Sequence, residues 1–258
     1  MQKQLPTWLL INKSLYGKIP VMLLYVLESD GSSPGRQGFF MAVNAAGEMN
    51  GSIGGGMMEH KFVEMAKDML KSGQQASSVR EQIHDKRAVK NQSGMICSGK
   101  QTNFLYTVSG NDSKHIENIV VCLRENRSGL LTLSSSGLSF QDNNITGHNY
   151  TFIYQSDEDW KYQEKIGYKN HLYIIGAGHC ALALTKIMQL MDFYIHLYDD
   201  RKDLNTFLEN NYAHEKTILD DYAQLNNIIP SGDNNYVVVM TVGYRTDDLV
   251  IRSLFKKQ

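Results

Sequence analysis

The sequence predicts an α/β chain in two parts, an N-terminal mixed α+β domain followed by a doubly wound parallel sheet domain. Three observations point there. In the first half, apolar runs of strand type and apolar stripes of helical spacing mix without a fixed order. From His171 onward short apolar strands and helices alternate, which is the pattern of parallel strands joined by crossover helices. At the head of that second part, Gly176, Gly178 and Ala181 form a Gly-x-Gly-x-x-Ala turn directly between a strand and a helix.

The chain has 258 residues, 42% of them apolar and 21% charged, which is globular composition and enough length for two cores. After Pro20, residues 21–27 read as a buried strand, ended by a small, polar loop over 29–37 that carries Pro34 and Gly35. Residues 39–43 and 49–53 form the arms of a hairpin that turns at 45–47. Met58, Phe62, Met65, Ala66 and Met69 recur at helical spacing, so a helix runs to about Leu70 and Gly73 stops it. Strand signals follow at 79–83 and 103–108. Ile116, Ile119, Val120 and Leu123 mark an amphipathic helix. Strands at 130–133 and 150–154 are separated by a Ser, Asn and Asp-rich stretch that offers turns. Residues 155–170 are polar, charged and without period, as a linker would be. This places the domains at 1–154 and 171–258.

In the second part, strands are expected at 171–175, 193–198, 216–219 and 236–241. Helices are expected at 180–191, with Leu184, Ile187, Met188 and Met191 as its buried stripe, at 204–209, and from Asp247. The Gly176 turn suits a Rossmann-type unit. Gly176 permits a tight bend, Gly178 lets backbone approach a pyrophosphate, and Ala181 lets helix pack closely on strand. Asp199, closing the next strand, can accept hydrogen bonds from a ribose diol, while Arg201 can instead hold a 2′-phosphate. NAD and NADP therefore both remain open.

The first part has its own glycine-rich turns. Gly54, Gly55 and Gly56 feed a helix whose unpaired amides and dipole suit an anion, and Arg36 can add positive charge. Glu59 reads either as a first-turn helix charge or as a functional carboxylate. Cys97 sits in a glycine-bracketed loop, where a thiolate can act as nucleophile, sulfur carrier or soft-metal ligand. Cys122 and Cys180 fall on helices among apolar neighbours and read as core filler.

Global charge excludes some partners. Lys plus Arg total 26 against 27 Asp plus Glu, so nothing favours nucleic acid or an acidic membrane. Three cysteines without a Cys-x-x-Cys pair fit a reducing compartment, and no apolar run approaches the ~20 residues of a membrane span. A cytoplasmic protein is expected, with a homodimer as the default oligomer.

Two segments together resemble the xanthine dehydrogenase accessory family, XdhC/CoxI. One is Gly31, Ser32, Ser33 and Pro34 with Gly51, Ser52, Ile53, Gly54, Gly55, Gly56 and Glu59. The other is Ile174, Ile175, Gly176, Ala177, Gly178 and His179 with Asp199 and Arg201. Met95, Ile96, Cys97, Ser98 and Gly99 echo it more weakly. The resemblance implies a protein that binds molybdenum cofactor (molybdopterin) and assists its sulfuration or insertion into a xanthine dehydrogenase-like molybdenum hydroxylase, with a cysteine desulfurase as a further partner. It implies a cofactor site formed by Ser33, Arg36, Gly54, Gly55, Gly56, Glu59 and Cys97, with Cys97 towards the metal. It implies a nucleotide site formed by Gly176, Gly178, His179, Asp199 and Arg201. Met57 stands where relatives commonly carry a cysteine, and relatives continue beyond the equivalent of Gln258, so the second domain is expected to be short on its C-terminal side. The alternative reading is an NAD(P)-dependent oxidoreductase, for which His179 and Asp247 are the proton-transfer candidates near the strand ends.

Overall fold

In the computed structural model, which describes residues 3–85, 87, 90–94, 98–142 and 149–255, the chain divides at Gly167 into two units. Lys3–Gly167 is built around β1 (Val21–Asp30), and the first seven residues of this strand are all buried. An uninterrupted apolar run buries both faces of one strand, and here each face has its own cover. Val21, Leu23, Tyr25 and Leu27 share a core with Trp8 and Ile11 of α1 (Leu5–Tyr16) and with a second sheet. Met22, Leu24 and Val26 share another with Met58, Phe62, Val63, Ala66 and Leu70 of α2 (Gly56–Lys71).

Around β1 an antiparallel sheet forms from β2 (Phe40–Asn44), β3 (Met49–Gly51), β4 (Ser77–Ile83) and β5 (Lys100–Val108), in the order β3-β2-β1-β5-β4. The expected hairpin is β2–β3, with Met41 opposite Gly51 and Val43 opposite Met49. The amphipathic helix at 116–123 is α3 (Ser113–Arg124), which buries Ile116, Ile119, Val120 and Leu123 as its spacing predicts. The second sheet holds β6 (Gly129–Ser134), β7 (Gly137–Gln141), β8 (Tyr150–Ser156) and β9 (Asp159–Ile166), in the order β7-β6-β9-β8.

Three features differ from the sequence reading. The stretch 155–170 is no linker. It completes β8, forms β9 and begins the next strand, and β9 pairs with both β6 and β8. Its polar residues alternate with Trp160, Tyr162 and Ile166, which point into the core, a period of two hidden by charged residues on the other face. Buried Glu164 shares the inward face, and its carboxylate accepts from the hydroxyls of Tyr25 at 2.6 Å and Tyr162 at 2.5 Å, tying β9 to β1. The turn-rich stretch after 133 contains β7, with Leu138 and Phe140 buried. Helix α1 fills a segment for which no element was expected, and its Trp8 and Ile11 are fully buried.

Tyr168–Gln258 carries the parallel sheet. Its strands are β10 (Asn170–Ile175), β11 (Phe193–Asp199), β12 (Glu215–Ile218) and β13 (Asn235–Val239), in the order β12-β11-β10-β13. The helices are α4 (His179–Met188), α5 (Asn205–Glu209), α6 (Leu225–Ile228) and α7 (Tyr244–Leu254), so the last one begins three residues before Asp247. One face of the sheet packs Leu172, Ile174, Ile195 and Leu197 with Ala181, Leu184 and Met188 of α4; the other packs Tyr173, Ile175 and Tyr198 with Leu225 and Val250. The stripe expected on α4 is rotated. Ile187 and Met191 are exposed, whereas Ala181 and Thr185 are buried, because the small residues let the helix approach the strands. That rotation also exposes Cys180, which therefore is not core filler, while Cys122 is buried as expected. Strand order reverses between β10 and β13, and the carboxyl ends at such a switch point are where open α/β sheets bind ligands.

Candidate functional site

In the first unit the glycine loops meet backbone to backbone. A Cβ on Gly35 would run into the carbonyl of Ile53, and one on Gly54 into the amide and Cα of Gly35. Gly54 also has φ +122°, a conformation that side chains resist. Two loops can cross this closely only where both lack a side chain. The 98–99 segment joins them, since a Cβ on Gly31 would lie 3.1 Å from the Ser98 carbonyl. Gly94, on the other flank of the cysteine loop, faces Met57. Cys97 itself, with Met95 and Ile96, lies outside the described residues.

A buried polar row underlies this crossing. Ser33 Oγ donates to Gln101 Oε1 at 3.0 Å, so its single proton is committed and it accepts from His84 Nε2 at 3.2 Å. The neutral ring then accepts at Nδ1 from the Ser93 hydroxyl, 2.7 Å away. Burial pushes the His84 pKa down, which keeps that ring neutral. Gln101 Nε2 donates to the Ile53 carbonyl at 2.8 Å and to Asn103 Oδ1 at 2.9 Å. The Asn103 Nδ2 is buried and has no partner. The row pins the Ser33 loop to the Ile53 loop and orients the serine hydroxyl inward. Its members His84, Ser93, Gln101 and Asn103 were absent from the sequence reading. The signal that marks two of them is polar residues at i and i+2 of β5, on the face that Leu105 continues into the core.

The triplet glycines are less open than their sequence suggests. Glu59 Oε2 accepts from Ser52 Oγ at 2.7 Å, from the Ile53 amide at 2.9 Å and from the Gly55 amide at 3.0 Å. Ser52 Oγ in turn accepts from the Gly54 amide. A carboxylate of the chain thus occupies part of the cradle and stabilises the start of α2, where a negative charge also favours the dipole. Glu59→Gln is expected to lower thermal stability by about 1 kcal/mol through the weakened cap, readable as a fall in melting temperature. Arg36 is exposed and donates from Nη1 to the Gly31 carbonyl at 3.1 Å.

In the second unit the Gly176 turn sits at the switch point. Gly176 has φ +101° and donates its amide to the Tyr198 carbonyl, and a Cβ there would strike Met240 and Thr241 just beyond β13. At Gly178, by contrast, a Cβ would meet nothing within 4 Å, so open room lies over the first turn of α4. His179 is exposed there and Ala181 is buried against the sheet. Asp199 is fully buried and reaches back to this turn, accepting from the Ala177 amide at 2.7 Å. Arg201 donates to it from its amide at 2.9 Å, from Nε at 2.8 Å and from Nη2 at 2.8 Å. Burial would raise the Asp199 pKa, but these donors outweigh it and hold the carboxyl below its usual range. Asp247 accepts from the amide and hydroxyl of Thr241, so it caps the turn into α7.

A model of the XdhC and CoxI family matches residues 17–82, and a model of the XdhC Rossmann domain matches residues 172–258. Between them the two cover more than half of the chain, one on each unit. The chain belongs to the XdhC and CoxI family. A crystal structure described as a xanthine dehydrogenase from Bacillus halodurans is similar to this XdhC/CoxI member over 100% of its chain and 80% of the other, with a TM-score of 0.63. At 20% identity that likeness shows a shared fold. No curated protein matches the chain by sequence. Among the described residues no helix is long and apolar enough to cross a membrane, and no group of three or more His, Cys, Asp or Glu could hold a metal ion.

Proposed function

We propose that this XdhC/CoxI member is an accessory protein that binds molybdenum cofactor and assists its sulfuration or insertion into a xanthine dehydrogenase-type molybdenum hydroxylase in the cytoplasm. The observation that carries this reading is the crossing of the 31–36 and 54–56 loops at Gly35 and Gly54, joined by the Ser98 flank of the cysteine loop. It gathers the segments that bear Ser33, Arg36 and the triplet glycines, all within the residues 17–82 that match the family model, and brings to them the 98–99 segment that directly follows Cys97 in sequence. The donor set suits an oxyanion cargo. Arg36 supplies a fixed charge, and a Cβ at Gly55 would meet nothing within 4 Å, which leaves room beside the first turn of α2. The Cys97 thiolate supplies a ligand for molybdenum or a carrier for sulfur. A cysteine desulfurase and a second copy of the chain are the accompanying partners in this reading.

The second unit would hold a nucleotide, NAD or NADP, with Gly178 and the amides of the first turn of α4 as the residues that would receive its phosphates. The room at Gly178 and the amides of that turn fit such a group. Within it the chain's own residues bind and orient.

The test is retention of cargo. Purified after exposure to molybdenum cofactor, the wild-type chain is expected to carry molybdenum and pterin in about equal amounts, and Cys97→Ala and Gly55→Val to carry several-fold less. Equal retention by wild type and both variants would refute the assignment.

A further inference from the structure

Asp199 closes β11 in the position from which a carboxylate reaches a nucleotide ribose, yet its acceptor capacity is already spent. Oδ1 takes the amide and Nε of Arg201, and Oδ2 takes the Ala177 amide and Nη2 of Arg201. Four donors fill the roughly four lone-pair positions of a carboxylate. The residue has no exposed surface. A ribose diol would present two O–H donors to this same pair of oxygens, and the arginine fork already presents two N–H donors to them. The diol and the guanidinium therefore compete for one carboxylate.

Arg201 has somewhere to go. Its side chain is 39% exposed, and its Nε lies 3.9 Å from Oδ1 of Asp200, whose own side chain is half exposed. Asp200 is held in place by the Tyr222 hydroxyl, which donates to it at 3.1 Å. The arginine thus stands between two carboxylates, one buried and one open to solvent.

We propose that Arg201 is the specificity-determining residue of the nucleotide site: it occupies the place of the ribose diol on Asp199, and a nucleotide with free 2′- and 3′-hydroxyls binds by displacing it onto Asp200. A 2′-phosphate is disfavoured in this arrangement, because two carboxylates against one guanidinium leave the ribose end of the site net negative. The inference rests on the Gly176 turn being a nucleotide site. It reverses the simpler reading of Arg201 as a 2′-phosphate ligand.

Calorimetric titration of the full chain with NAD and with NADP tests it. Wild type is expected to bind NAD more tightly than NADP. Arg201→Ala is expected to bind NAD about tenfold more tightly still, the scale of one displaced, partly exposed charge-assisted pair. Adding Asp199→Asn to that variant removes the gain. Gly178→Val, which places a side chain in open space and leaves the fold intact, abolishes binding. Arg201→Gln, nearly isosteric, carries the same expected gain should the alanine variant fold poorly by circular dichroism. Binding that Gly178→Val abolishes but Arg201→Ala leaves unchanged or weakens would overturn the proposal and keep the nucleotide reading. A wild-type preference for NADP would also overturn it. No heat with either nucleotide, in wild type or Arg201→Ala, would overturn both.

Discussion

Leu23→Ala is expected to cost the Lys3–Gly167 unit about 3 kcal/mol of stability. Leu23 has no exposed surface and lies on the β1 face that packs against α1, α3 and the second sheet. Truncation there loses the transfer free energy of the deleted atoms and leaves a cavity that neighbours on several elements cannot all collapse to fill; such changes cost ~2–5 kcal/mol. Leu24→Ala, on the opposite face against α2, is expected to cost a similar amount through a separate core. Both tryptophans of the chain, Trp8 and Trp160, belong to this unit, so urea unfolding followed by tryptophan fluorescence reads it selectively. A loss below about 1 kcal/mol in both variants would mean that β1 is not the shared wall of two cores.

Acid is expected to destabilise the second unit more than the first, in which buried His84 is also held neutral but by a smaller shift than that of His214. His196 and His214 sit among aromatic rings on one face of the parallel sheet. His214 accepts the Ile195 amide at Nδ1 and lies 2.8 Å from the Tyr168 hydroxyl at Nε2. Burial lowers the pKa of both rings, that of His214 to about 4. A histidine whose folded pKa is depressed binds fewer protons folded than unfolded. Its neutral form supports the fold above the unfolded value near 6.5, and stability is lost as pH falls below that, levelling out beneath about 4. For His214, discounted for partial solvent access, the loss between pH 7 and pH 4 is about 2 kcal/mol. His196 adds in the same direction, offset by the Glu215 carboxylate 3.0 Å from its Nδ1. Urea unfolding followed by far-ultraviolet circular dichroism should therefore split from the tryptophan transition as pH drops from 7 to 5. His214→Gln, which retains an acceptor without titrating, should narrow that split. A split that does not change with pH would refute the account.

Much of this was legible because the signals are local. Residues 21–27 had to be a doubly covered strand, since seven apolar residues in a row leave no face for water. The alternation after His171 and the Gly176 turn specified a parallel sheet, and β10 to β13 supply it. What escaped was distributed. The β9 strand failed to register because Asp159, Lys161, Gln163 and Lys165 alternate with its buried Trp160, Tyr162 and Ile166, and one of the buried positions is itself a carboxylate, Glu164. Nothing local says that Glu164 meets Tyr25, 139 residues away. The rotation of α4 escaped likewise, because small Ala181 and Thr185 score as neutral in any hydrophobic stripe while offering the closest helix approach.

The same division runs through the candidate sites. From its residues alone the chain declared two glycine-rich turns, their strand and helix context, and the residue types that flank them. These follow from backbone requirements that act over a few residues, a positive φ at Gly54 or a tight bend at Gly176. Only the tertiary structure decided who holds whom. Glu59 fills part of the Gly55 cradle, the Ser33 row is anchored by Gln101 from β5, and Asp199 faces Arg201 instead of solvent. The reason is that a hydrogen-bonding group is committed by its nearest partner in space, and in a folded chain that partner is set by packing rather than by sequence distance.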